Sequence, residues 1–195
     1  PHGILITWAT ITEGGVQVNA AGKRFWNEAQ GYSEAARAVL SQAQGVAYAI
    51  FDGRISQIAE QFEDFKRAQS EGAIKSAETL EELAEDLGLP AEALCKTIAD
   101  ISPNSTDRFG RTFGETVLSP PFCGVRVTGA LFHTQGGLKV DTSARVICKN
   151  GSIISNLYAG GGAACGVSGR GDRGYLSGNG LLSAVVLGRI AGKAS

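Results

Sequence analysis

The sequence predicts an α+β fold in two parts, on three observations. Short runs rich in β-branched residues stand at 4–11, 14–18 and 46–51. From 55 to 98 the pattern turns helical and charged. Glycine, 27 residues in all, then crowds the last third, where 160–180 reads GGGAACGVSGRGDRGYLSGNG. That change of composition puts a boundary near residue 126 and divides the chain into 1–126 and 127–195.

The elements follow in order. ILITWATI at 4–11 reads as a strand, and GGVQV at 14–18 as a second short one. Asn19-Ala20-Ala21-Gly22 is a turn, with Gly22 able to take positive φ. Residues 33–40 form a helix that Ser33 can cap, and VAYAIF at 46–51 is a strand that turns at Asp52-Gly53. Apolar residues at 80, 83, 84 and 87 share one helical face, Thr79 with Glu82 matches a capping box, and Gly88 is the stop. Pro90 opens another helix over 91–98. The acidic run 78–86 reads as a solvated helix face.

Residues 102–116 are polar and irregular, a surface excursion of the kind that serves as a lid. Strand-like CGVRVTGALFHT follows, then Gly136-Gly137, then LKVDTSARVI. Lys149-Asn150-Gly151 turns a hairpin into a return strand over 152–158, and residues 181–191 end the fold as an apolar helix. No internal repeat is visible.

Composition excludes several classes. Hydrophobic residues at 43% against 19% charged supply a packed core rather than disorder. A net charge of −1 with scattered Lys and Arg gives no footprint for nucleic acid or an anionic membrane, and no apolar run reaches the roughly 18 residues of a membrane span. Cys95, Cys123, Cys148 and Cys165 show no C-x-x-C pair and no nearby His, so no metal site is expected, and the four read as reduced core thiols of a cytoplasmic protein.

The glycine block carries the chemistry. A Gly-rich loop running from a strand into a helix lets backbone N–H groups approach a ligand, and the helix N-terminus adds partial positive charge. This suits a phosphate, a carboxylate or the electron-rich edge of a flavin; a purely structural turn is the bland alternative. It is not a P-loop, because no Gly-Lys-Ser/Thr follows, and no βαβ unit with a downstream acid marks a dinucleotide fingerprint.

FHTQGGLKVDTSARVI (132–147), SNLYAGG (155–161) and GNGLLSAVVLGRIAG (178–192) stand in one order and spacing. Together they resemble the C-terminal signature of the fumarate reductase/succinate dehydrogenase flavoproteins, with tricarballylate and ketosteroid dehydrogenases among the relatives. GGVQVNAAGKRFWNE (14–28), AIFD (49–52), FGR (109–111) and PPFCGVRVTGALFHT (120–134) extend the likeness over nearly the whole chain. The resemblance implies FAD as cofactor. It implies a substrate-capping domain over 1–126, then the β-meander, Gly-rich loop and helix of an FAD-binding domain over 127–195. The N-terminal Rossmann part, with its G-x-G-x-x-G, is absent from this sequence and counts as a missing partner segment.

Residue by residue, the resemblance assigns Gly136, Gly137, Gly160, Gly161, Gly178, Asn179, Gly180, Leu181 and Leu182 to the flavin side. His133 would hold a substrate carboxylate or carbonyl, as a donor able to carry charge near neutral pH; a structural histidine on a strand carbonyl is the alternative. Arg170 and Arg173 lie in the loop where a guanidinium would pair with a carboxylate, and the phenol of Tyr175 could donate to an enolate. Asp172 would bridge to one of these arginines. Glu28 matches a family glutamate of proton delivery, or else is an ordinary helix-entry acid. Arg54 follows Phe51-Asp52, near where reductases carry the cap arginine that protonates the substrate. Gly162 stands where the family usually has Glu, which implies that FAD contacts there differ or that affinity is lower.

The implied function is hydride transfer between flavin and a C–C bond next to a carboxylate or ketone, with the isolated chain inactive. The other reading is a non-catalytic binding module, or a remnant that folds without FAD. Self-association through the surface where the missing segment would pack is a further expectation.

Overall fold

The computed structural model describes residues 3–131 and 134–194, excepting the side chain of Arg173. Helices and sheet are mixed, and the chain divides into two compact units, Pro1–Gly129 and Ala130–Ser195.

The first unit is built on an antiparallel sheet of β1 (Val16–Val18), β2 (Val46–Asp52), β3 (Ile74–Ala77) and β4 (Phe122–Thr128), in the order β1-β2-β4-β3. Alternate residues of β2 point to opposite faces. Ala49 and Phe51 join Ile55, Phe65 and Val125 in one buried cluster; Ile50 joins Val16, Leu83, Leu94 and Phe113 in the other. Because both faces are covered, β2 reads as a continuous apolar run instead of an alternating one.

The opening run is not a strand. Residues Ala9–Thr12 form a short helix, α1. The Ala9 N–H donates to Thr7 Oγ1 at 3.3 Å, and the Thr10 hydroxyl donates to the Thr7 carbonyl at 2.9 Å. Threonine hydroxyls here offer the backbone local partners in place of a ladder. The chain then folds back so tightly that a Cβ on Gly15 would lie 2.0 Å from the Thr10 carbonyl oxygen.

Helix α2 (Tyr32–Leu40) starts one residue before Ser33, and Gly31, not Ser33, is its cap. The chain turns at Asp52 directly into a helix: its carboxylate accepts the Ile55 N–H at 2.9 Å and caps α3 (Gly53–Ala59). Helix α4 (Glu63–Ser70) follows, and β3 interrupts what the sequence reads as continuous helix. The predicted capping box opens α5 (Leu80–Leu87), with both Thr79–Glu82 bonds at 3.2 Å, and Gly88 closes it at φ 68°. Pro90 leads into α6 (Ala91–Ala99).

The second unit holds the hairpin β5 (Arg145–Ile147) and β6 (Ile153–Tyr158), then the long helix α7 (Asn179–Ala194). Asn150 Oδ1 accepts the Ser152 N–H at 3.1 Å and shapes the predicted turn. A small core of Val146, Ala159 and Ala164 takes Leu187 of α7, while Leu181, Leu182, Val185 and Val186 are exposed. Of the four cysteines only Cys123 is buried; Cys165 is exposed, so the thiols are not all in the core. No helix among the described residues is long and apolar enough to cross a membrane, and none of their His, Cys, Asp and Glu side chains gather as a metal site.

Candidate functional site

Each unit carries its own cluster of candidate residues. In the first, Glu28 begins a 3-10 turn, Glu28–Gln30, whose cap Asn27 accepts the Ala29 N–H at 2.9 Å. Its side chain points inward and is only 1% exposed. One carboxylate oxygen accepts the Gln17 N–H at 3.0 Å and Arg24 Nε at 2.9 Å. The other meets Arg24 Nη2 at 2.6 Å and Arg111 Nη1 at 3.2 Å. A buried carboxylate needs such partners, since unpaired burial of a charge is severely unfavourable.

The two guanidiniums differ. Arg24 loses solvation, which alone would lower its pKa, but bonds to Glu28 and to Asp107 outweigh that and raise it. It also lies over the rings of Phe109, at 5.3 Å, and Phe113, at 5.0 Å. Arg111 is spent on backbone: Nη1 donates to the Gly15 carbonyl at 2.8 Å and Nη2 to that of Ile11 at 3.0 Å. For Arg111 burial wins, and its pKa is lowered in spite of Glu28. Burial raises the Asp107 carboxyl, yet the Arg111 N–H and the Arg24 guanidinium together hold it below the usual range. A cavity of about 250 Å³ lies against this cluster, with Glu28, Arg111, Trp8 and Thr12 in its wall.

In the second unit the glycines build a platform. Residues 135–138 run beside 163–166: the Leu138 N–H donates to the Ala163 carbonyl, the Cys165 N–H to Leu138, and the Gly166 N–H to Gln135, each at 2.9 Å. Asn179, first in α7 and 2% exposed, ties both strips together. Its Oδ1 accepts the Val167 N–H at 3.0 Å, and its Nδ2 donates to Gln135 Oε1 at 2.9 Å. A Cβ on Gly137 would fall 2.4 Å from the Ala164 carbonyl carbon and oxygen, so glycine is what lets the strips touch. Around Gly136, Gly162, Gly178 and Gly180 a Cβ would meet nothing within 4 Å. An open backbone next to the start of a sixteen-residue helix fits a flat, electron-rich ring edge.

The structure places the predicted residues as follows. Gly136, Gly137, Gly160, Gly161, Gly178, Asn179 and Gly180 belong to this platform and the segments joining it to α7, with Leu181 and Leu182 exposed on the first turn of α7. Arg170 is exposed and Tyr175 half-buried in the same loop. His133 lies outside the described residues, as does the side chain of Arg173. Arg54 is exposed and donates to the Glu13 carbonyl at 2.7 Å. Arg24, Asp107 and Arg111 were not singled out from sequence. Their signal was that Arg24 stands in the GGVQVNAAGKRFWNE stretch and Arg111 in FGR, both of which carry the family resemblance, while Asp107 gave none.

Comparison with known proteins defines the class. The FAD binding domain family matches residues 1–181, and the chain belongs to that family, whose cofactor is FAD. Among relatives, an NADH:acrylate oxidoreductase of Vibrio harveyi is 39% identical over 99% of this chain and 20% of its own length. A probable fumarate reductase of Shewanella frigidimarina is 30% identical over 97% of this chain and 32% of its own. The open conformation of a flavocytochrome c3 fumarate reductase superposes with a TM-score of 0.74 at 28% identity, over 97% of this chain and 34% of that one. The chain thus spans between a fifth and about a third of the length of these proteins.

Proposed function

We propose that this chain is part of an FAD-dependent oxidoreductase that adds hydrogen across, or removes it from, a C–C bond conjugated to a carboxylate. The observation that carries this reading is the family match across residues 1–181, which takes in the Glu28 cluster and the glycine platform alike. Similarity to an acrylate and a fumarate reductase favours a small unsaturated acid over a ketone. In this reading 1–126 caps the substrate and 127–195 completes the flavin side of the cofactor site. The pyrophosphate cradle, which these 195 residues lack, comes from sequence outside them.

Bound FAD supplies the hydride acceptor and donor. The open backbone at Gly136, Gly178 and Gly180, with the first turn of α7 at Asn179, Leu181 and Leu182, would hold its ring edge; Gly137 lets the supporting strips close, and Gly160 and Gly161 let α7 pack close to the loop. Arg170 or Arg173 pairs with the substrate carboxylate and His133 donates to the same group, which draws electron density from the conjugated carbon. Tyr175 fixes the substrate's orientation. The proton that accompanies the hydride travels through the cap, by Glu28 from its cavity or by Arg54.

The test is reoxidation of the chemically reduced protein, at its natural length, by acrylate, fumarate and an α,β-unsaturated 3-oxosteroid in separate anaerobic mixes. Rapid reoxidation by an unsaturated acid is expected. Reoxidation by the steroid alone would reject the acid reading, and none by any of the three would reject the proposal.

A further inference from the structure

The charged residues 107 and 111 have no part in the function as stated, yet they sit in the most densely bonded polar cluster of the first unit. Residues 102–116 leave the helical layer and return at β4. Within them Asp107 folds the chain on itself. Its Oδ1 accepts the Phe109 N–H at 2.8 Å and the Arg111 N–H at 2.9 Å, and its own N–H donates to the Arg111 carbonyl at 2.9 Å. This closed turn aims the Arg111 side chain inward, where it is 6% exposed. There the guanidinium reaches three partners from two separate stretches: the carbonyls of Ile11 and Gly15, and the Glu28 carboxylate. The excursion that reads as a lid is therefore pinned down at its centre.

The pinning has a chemical consequence. Glu28 and Arg111 both line the 250 Å³ cavity, so Arg111 is the cation that Glu28 meets on the cavity side. Arg24 holds the carboxylate from its own stretch of chain, four residues away, with its other nitrogen on Asp107. Arg111 shares the second carboxylate oxygen with Arg24, at 3.2 Å against 2.6 Å, and ties it to the carbonyls of Ile11 and Gly15. Two cations and two anions balance here, and without Arg111 the carboxylate keeps only Arg24 and the Gln17 N–H as partners.

We propose that Arg111 is a positioning residue for Glu28: the turn closed by Asp107 delivers a guanidinium that fixes the carboxylate in the cavity wall at the angle proton transfer needs. The inference rests on the reading of Glu28 as the proton carrier of the cap, and its test separates the two.

The experiment is a double-mutant cycle in the natural-length flavoprotein. Glu28→Gln, Arg111→Lys and the double variant are compared in the maximal rate and KM of reoxidation by the acid found active. FAD content and far-ultraviolet circular dichroism serve as controls. Lysine keeps the charge but cannot span both carbonyls and Glu28. Glu28→Gln is expected to lower the maximal rate about a hundredfold, in the range of a lost acid–base group. Arg111→Lys is expected to lower it about tenfold, with KM and FAD content within about twofold, and the double variant to be no slower than Glu28→Gln.

A double variant that loses the full tenfold again would overturn the inference and leave the Glu28 reading standing. A Glu28→Gln protein at the wild-type rate would overturn both. If Arg111→Lys fails to fold, Asp107→Asn takes its place in the cycle, because it loosens the turn that aims Arg111; the same additive result would overturn the inference there.

Discussion

Replacement of Gly137 by alanine tests the platform directly. The added methyl would stand 2.4 Å from the Ala164 carbonyl carbon and oxygen and 2.7 Å from the Cys165 nitrogen. All three are backbone atoms, so no side chain can swing aside. The strips must part, and the Leu138–Ala163 and Cys165–Leu138 hydrogen bonds lie at that contact. Two such bonds contribute about 1 kcal/mol each, and overpacking costs about 1–3 kcal/mol. Together they set a cost of about 3–5 kcal/mol, or roughly 150- to 5,000-fold in the local opening equilibrium. Amide hydrogen exchange at Leu138 and Cys165 reads that equilibrium. Gly136→Ala is the control: its methyl meets nothing within 4 Å, so protection should stay within about 0.5 kcal/mol of wild type, while FAD retention falls if the cofactor lies on that backbone. Unchanged protection in Gly137→Ala, or equal loss in Gly136→Ala, would refute the close-approach argument.

Other consequences can be measured on the same chain. Thr79→Ala removes a capping box and should cost about 1 kcal/mol in urea denaturation. Arg24→Leu leaves Glu28 and Asp107 with one cation between them inside the unit, and a loss of about 3–5 kcal/mol is expected from the urea midpoint. Asp107 has a folded pKa below its unfolded value of about 3.9, so its contribution is complete above that value and is lost as pH falls through the folded one. Stability should therefore drop below about pH 4, and Asp107→Asn should flatten that part of the profile in an acid titration followed by circular dichroism.

What the sequence made legible was local. The capping box at Thr79, the αL stop at Gly88, the hairpin turn at Asn150 and the terminal helix all depend on residues a few positions apart. The errors arose where distant packing or local competition decides. α1 replaces a β-like run because threonine hydroxyls satisfy its backbone, and β3 hides in a charged stretch because it pairs only with β4 and leaves Lys75 and Ser76 exposed. The glycine block was visible from its composition alone as a loop whose backbone is open to close approach. Its internal staple was not, since Asn179 and Gln135 stand 44 residues apart. Glu28 was legible only by family resemblance. Periodicity carries no sign of its burial, and its partner Arg111 arrives from 83 positions away.

The most direct test is the visible absorption spectrum of the natural-length protein after incubation with FAD and desalting. The account expects a flavin band at one cofactor per chain, bleached by a reductant and restored by an unsaturated acid. A protein that stays colourless after this treatment would contradict it.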